Sequence, residues 1–137
     1  AKISLIMIKK PIESVKKFHE AFQLGYKNQP TIELSKEKIE LRFNLMAEEN
    51  KEYLEAAKNQ DLVEVADALG DMLYILCGTI IEHGMQDVIE DVFEEIQRSN
   101  MSKLDKNGKP IFREDGKVLK SDLYFKPNLK QFFKKDH

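Results

Sequence analysis

A chain of 137 residues, 42% hydrophobic and 34% charged, has room for one domain with a core of its own and reads as soluble and rich in helix. Its net charge of −2 hides a segregation: 15 acidic residues stand against three basic ones from Glu40 to Glu95, and 11 basic against five acidic from Ile96 onward. An acidic centre speaks against nucleic-acid binding, the single cysteine, Cys77, against a disulfide framework, and the longest apolar run, Met72–Ile81, is too short for the roughly 20 residues of a membrane span.

The first residues, Ala1 to Ile8, carry Lys2 and lack the small-residue cleavage pattern of a leader, so a cytoplasmic protein is expected. Pro11 suits the first turn of a helix bearing Ile12, Val15, Phe18 and Phe22 at helical spacing and ending near Gly25. After a loop with Asn28 and Pro30, Ser35 is a plausible N-cap for a second helix reaching about Lys58. Asn59-Gln60-Asp61 predicts a tight turn, with Asp61 capping a third helix from Leu62 to about His83. That helix is the most apolar of the chain and is expected to lie buried on most sides, with Gly84 as its left-handed stop.

Asp87 and Glu90 are spaced as a capping box for a fourth helix with the core face Ile89, Val92, Phe93 and Ile96. Beyond Asn100, the turn signals Asn107-Gly108 and Asp115-Gly116 flank Ile111-Phe112 and Val118-Leu119 and predict a β-hairpin. An extended stretch follows, then a short helix from Asn128. Short connections favour antiparallel neighbours. The expected fold is therefore all-α: an antiparallel four-helix bundle over about 11–100, with a small hairpin and tail over about 103–137, in one domain.

Carboxylates on the second and third helices carry the chemistry. Glu48, Glu49 and Glu52 share one side of a helix, and Glu55 extends the row by a turn. Alone, such a row is an ordinary solvated face. Glu64, Asp67 and Asp71 form a second stripe, set among Leu62, Val63, Val65, Ala66, Leu69, Met72 and Leu73. A buried carboxylate without a partner costs several kcal/mol or takes up a proton, and lysine and arginine are scarce in both helices. Hard oxygen ligands around Mg²⁺ or Mn²⁺ would resolve that conflict; a stripe facing solvent would avoid it. A ferritin-like di-iron centre is excluded, since no His stands three residues after a Glu, and an EF-hand starting at Asp105 would place Gly116 where a Glu is required.

Glu48-Glu49-x-x-Glu52 followed by Glu64-x-x-Asp67 resembles the metal signature of the all-α NTP pyrophosphohydrolases, the MazG-like superfamily. The string Val65–Tyr74 resembles the third helix of that group, and the Phe18-His19 pair is similar to it as well. Arg98–Lys103 and the turn Asp115–Lys120 are similar to a branch of bacterial and phage members, some of them like dimeric dUTPases. The superfamily's Glu-Leu-Gly-Asp form, aligned on Leu69-Gly70-Asp71, would put Ala68 where a Glu belongs. The register using Glu64 and Asp67, as in the phosphoribosyl-ATP pyrophosphohydrolase branch, keeps the pair intact and leaves Asp71 as a supporting group or extra ligand.

The resemblance implies that Glu48 or Glu49, Glu52, Glu64 and Asp67, with Asp71, hold Mg²⁺ (or Mn²⁺), that Glu49 takes the proton of an attacking water, and that attack at the α-phosphorus releases pyrophosphate. It further implies phosphate contacts from Asn100, Lys103, Lys117 and Lys120, a nucleoside pocket drawn from Phe18, His19, Phe22 and Tyr74, and a homodimer or dimer of dimers. Core packing is the competing role for Phe18 and Phe22. His83 is expected only as a favourable cation at a helix C-terminus. Two other readings compete: hydrolysis of phosphoribosyl-ATP by the same chemistry, and a non-catalytic helical interaction protein.

Overall fold

The computed structural model describes residues 2–133, with side chains from residue 8 onward. In chain order its elements are α1 (Lys2–Ala21), α2 (Lys36–Lys58), α3 (Leu62–Glu82), α4 (Ile89–Met101), β1 (Ile111–Phe112), β2 (Val118–Leu119) and a 3₁₀ turn at Lys130–Phe132. This is the expected all-α class with a small C-terminal hairpin. The chain divides between Asp87 and Val88 into two units, each described by itself, a boundary that falls inside the span expected to form one helical core. Among the described residues no helix is long and apolar enough to cross a membrane.

In the first unit α3 packs against both α1 and α2. Ile12 and Val15 of α1, Ala56 of α2, and Ala68, Cys77 and Ile81 of α3 are buried. The N-caps form as their residue types demand: Ser35 Oγ accepts from the Lys38 amide at 3.0 Å, and Asp61 Oδ1 from the Glu64 amide at 3.1 Å. Burial of Cys77 pushes its thiol pKa up, which suits a core residue and not a nucleophile.

Three expectations are corrected. α1 begins at Lys2, so Pro11 is interior and offers no N–H to the turn before it; Leu5, Met7, Lys9 and Lys10 are good helix formers that carry the helix through. α4 starts on Val88 without a side-chain cap, so the Asp87–Glu90 box is not what opens it. α3 is not buried on most sides: Leu62, Val63, Leu69, Leu73 and Leu76 are 81, 75, 51, 46 and 43% exposed. The reason is that α3 carries two apolar stripes. One meets α1 and α2; the other, Leu62, Ala66, Leu69, Leu73, Leu76 and Ile80, repeats at alternating spacings of four and three and stays largely open.

The helices of this unit end in one way. At α3, Gly84 takes φ +67°, with the Met85 amide on the Ile80 carbonyl (2.9 Å) and its own amide on Ile81 (3.0 Å). Here glycine is required twice over, because a Cβ would lie 2.1 Å from the Gln29 carbonyl oxygen. α1 and α2 close identically, but on Gln23 (φ 58°) and Gln60 (φ 56°), so α1 stops at Ala21, a little before the end expected near Gly25. A left-handed non-glycine residue costs about 1–2 kcal/mol. Gln60→Gly is therefore expected to stabilise the protein by about 0.5–1 kcal/mol net of the entropy glycine loses, read as a higher midpoint in urea denaturation.

In the second unit the tail folds along α4. Arg98 forks onto the buried Glu95 carboxylate at 3.0 and 3.2 Å, and the Asn128 amide reaches the same carboxylate at 2.8 Å. These hydrogen bonds hold the Glu95 carboxyl below its usual range. The Arg98 guanidinium also lies 4.4 Å over the Phe125 ring, and Ser99 Oγ donates to the Phe125 carbonyl at 2.8 Å. The hairpin pairs Ile111 with Leu119 and Phe112 with Val118, and its turn is held by Arg113 on Asp115 and by Gly116 at φ +90°.

Candidate active site

The α2–α3 turn is only three residues long, so the two helices run antiparallel. Cross-contacts fix their register: Lys38 reaches Glu82, and Arg42 reaches Thr79 and the Ile75 carbonyl. Carried along both helices, that register sets Glu49 level with Asp71 and Glu52 level with Ala68, between Asp67 and Asp71.

Glu49 is the residue on which the cluster closes. It is half-buried, and its Oε1 is sealed from solvent with no hydrogen-bond partner. Its carboxyl pKa is raised, first by desolvation and then by the charges of Glu52, Asp71, Asp67 and Glu48. Five carboxylates thus share one field, and among the described residues no cation is one of the groups acting on Glu49.

Glu48, Glu52, Asp67 and Asp71 are themselves exposed. Burial of the α3 stripe, the conflict expected from its apolar neighbours, is not what the fold imposes; the stripe faces outward and only Glu49 is pressed inward. Asp71 acts on Glu49 more strongly than Asp67 does. Glu64 stands at the N-terminus of α3, exposed, and is not among the charges felt by Glu49.

Among the described residues no three His, Cys, Asp or Glu side chains converge tightly enough to enclose a metal ion. The donor set still fits a hard divalent cation of the magnesium type. Such an ion keeps several waters and needs only one or two carboxylates, and Glu49 presents an orphaned buried oxygen inside a field of four further negative charges.

One turn beyond Asp71, Tyr74 meets Phe18 edge to face (5.6 Å between centroids), and Phe18 meets Phe22 at 4.4 Å. These rings are 42, 39 and 63% exposed, an unusual state for three clustered aromatics. His19 faces the other way: it is 2% exposed, and its Nδ1–H donates to the Gly25 carbonyl at 2.9 Å. His83 uses Nδ1–H on the Thr31 carbonyl at 2.9 Å, tying the loop before α2 to the end of α3. Asn100, Lys103, Lys117 and Lys120 belong to the second unit. The Lys103 amide closes on the Asn100 carbonyl at 3.2 Å, Lys117 is exposed in the hairpin turn, and Lys120 Nζ lies 4.9 Å over the Tyr124 ring.

A buried polar junction was not foreseen. Arg42, Glu82 and His19 are 8, 4 and 2% exposed, and Glu82 Oε2 is shared by Lys38 (3.2 Å) and His19 (3.6 Å). Burial lowers the Arg42 pKa, and the Glu82 charge opposes that shift. Its signals were present: Gly78-Thr79 interrupts the apolar run, Glu82 closes it, and Arg42 is one of only three basic residues between Glu40 and Glu95.

The family model described as phosphoribosyl-ATP pyrophosphohydrolase matches residues 15–100. Among solved structures the chain is similar to a candidate NTP pyrophosphohydrolase from Exiguobacterium sp. 255-15, at 30% identity over 85% of this chain and 88% of that one, with a TM-score of 0.43. No curated protein matches it.

Proposed function

We propose, from the premise that this chain belongs to the phosphoribosyl-ATP pyrophosphohydrolase family of the MazG-like superfamily, that it is a Mg²⁺-dependent hydrolase converting a (deoxy)nucleoside triphosphate and water to the monophosphate and pyrophosphate. Family membership makes it a nucleotide pyrophosphohydrolase. The observation that supports the finer reading is Glu49: a sealed carboxylate oxygen, without a partner, amid four like charges. A folded chain tolerates that arrangement where a cation is to be bound.

Glu49, Glu52, Asp67 and Asp71 would hold the ion, with Glu48 and Glu64 flanking them. Bound Mg²⁺, or Mn²⁺ in its place, supplies neutralisation of the triphosphate and acidification of a water. Glu49, the one carboxylate of the row pressed inward, would take the proton of the attacking water as the water's oxygen attacks the α-phosphorus. The bond from the α-phosphorus to the bridging oxygen breaks, and pyrophosphate leaves with the electron pair. The exposed rings of Phe18, Phe22 and Tyr74 offer stacking surfaces for a base one turn from Asp71, with His19 behind them. Asn100, Lys103, Lys117 and Lys120 would supply donors to phosphate oxygens. A cytoplasmic homodimer or dimer of dimers completes the reading, supported by the open heptad-like stripe of α3.

Pyrophosphate release from a panel of canonical and modified NTPs and dNTPs tests it. One preferred substrate is expected to be split with Mg²⁺, and both EDTA and Glu52→Gln are expected to abolish turnover. Release that persists in EDTA would sink the metal mechanism. Phosphoribosyl-ATP belongs in the panel, because the matching family model describes that activity; its preference over every NTP would replace the substrate and keep the chemistry.

A further inference from the structure

We infer that Arg42 and Gly78 are positioning residues, whose interlock sets the α2–α3 register and with it the alignment of the Glu49 row on the Asp71 row. The inference rests on the reading of those rows as the functional ones. Gly78 sits inside α3 with helical backbone, so no turn demands a glycine there. What demands it is space. A Cβ at this position would lie 2.6 Å from Arg42 Nη2, 2.9 Å from His19 Nε2 and 3.4 Å from Arg42 Cζ. The guanidinium of α2 occupies the notch that the missing side chain leaves in α3.

The notch is read on both sides. Arg42 Nε donates to Thr79 Oγ1 at 3.1 Å and Nη2 to the Ile75 carbonyl at 3.0 Å, while Thr79 Oγ1 donates to that same carbonyl at 2.9 Å. A planar fork on two acceptors one turn apart has little freedom to slide, and lysine cannot reproduce it. Seven residues separate Arg42 from Glu49 on α2, and seven separate Asp71 from Gly78 on α3. The lock and the carboxylates are thus the same two turns apart on both helices, about 10 Å. Helices are stiff over two turns, so an axial shift at the lock reappears at the carboxylates.

The test uses two readouts that simple destabilisation does not move. Spin labels at Glu40→Cys and Val63→Cys, in a Cys77→Ala background, report the axial offset of α2 and α3 by pulsed electron resonance. Mn²⁺ titration of the same folded proteins reports the carboxylates. Gly78→Ala and Arg42→Met are expected to shift or broaden the label distance by on the order of one residue's rise, ~1.5 Å. Mn²⁺ affinity should fall about tenfold with it. Arg42→Lys should follow Arg42→Met, whereas Ile81→Val, a core change three residues from Gly78, should lower the melting temperature and leave both readouts at wild-type values. An unchanged distance in folded Gly78→Ala, or wild-type behaviour of Arg42→Lys, overturns the inference. Should wild type fail to take up Mn²⁺ while Gly78→Ala still moves the distance, the positioning role stands and the metal reading falls. Gly78→Ala keeps the arginine in the chain and decides the matter if Arg42→Met does not fold.

Discussion

Glu49→Gln is expected to abolish most hydrolysis and yet to raise the melting temperature of the metal-free protein. The loss follows from its position: the amide can neither take a proton from water nor offer a charged oxygen to Mg²⁺, which costs about a thousandfold in kcat. The gain follows from the field. Desolvation and the charges of Glu52, Asp71, Asp67 and Glu48 lift the Glu49 carboxyl pKa in the folded state. An acid whose folded pKa exceeds its unfolded value binds its proton more tightly when folded. Its contribution to stability is therefore complete below the unfolded pKa and is lost as pH rises through the folded one. Once Glu49 has lost its proton, its charge is a liability that glutamine removes.

Thermal melts of both proteins from pH 4 to 8 in EDTA check this: the wild type should lose stability toward neutrality relative to Glu49→Gln. Adding Mg²⁺ should stabilise the wild type more than the variant, since binding to the folded state adds to its stability. A Glu49→Gln protein that is less stable than wild type throughout would mean that Glu49 serves the fold and not a cation.

Glu82→Leu is expected to produce the largest loss of stability among changes outside the hydrophobic core. Glu82 is 4% exposed, its Oε2 is shared between Lys38 and His19, and its charge supports the buried Arg42 guanidinium. Leucine preserves volume but leaves those groups without their carboxylate. Removing one partner of a buried ionic group costs about 3 kcal/mol, a fall of roughly 10 °C in Tm for a chain of this size. Lys38→Met, which removes the more exposed partner at 29% exposure, should cost only about 0.5–1 kcal/mol. Urea denaturation of the three proteins measures both; a Glu82→Leu cost within about 0.5 kcal/mol of zero would show the junction to be dispensable.

Both residues illustrate what was legible and what was not. Glu49 stood in a row of four glutamates on α2, Glu48, Glu49, Glu52 and Glu55, and spacing placed Glu48 and Glu49 equally close to Glu52. Only the packing of α3 turned Glu49 inward and left Glu48 in water. Asp71, left by motif alignment as a supporting group or an extra ligand, comes level with Glu49 because the Arg42 fork grips Ile75 and Thr79. Glu82 closes an apolar helix, and nothing near it in sequence announces partners 44 and 63 residues upstream.

The sequence by itself determined the helical spans of α2 and α3, the caps at Ser35 and Asp61, the left-handed stop at Gly84, the Asp115-Gly116 hairpin and the two carboxylate rows. These are decided within a turn or two of chain, by side chains that reach their own backbone and by the 3.6-residue period. Tertiary structure alone decided that α3 leaves one apolar stripe open, that Glu49 is the carboxylate sealed from water, and that Arg42 and Gly78 interlock. Those outcomes depend on how far one helix is slid and rotated against another, a quantity held by contacts between residues tens of positions apart and written in no local pattern.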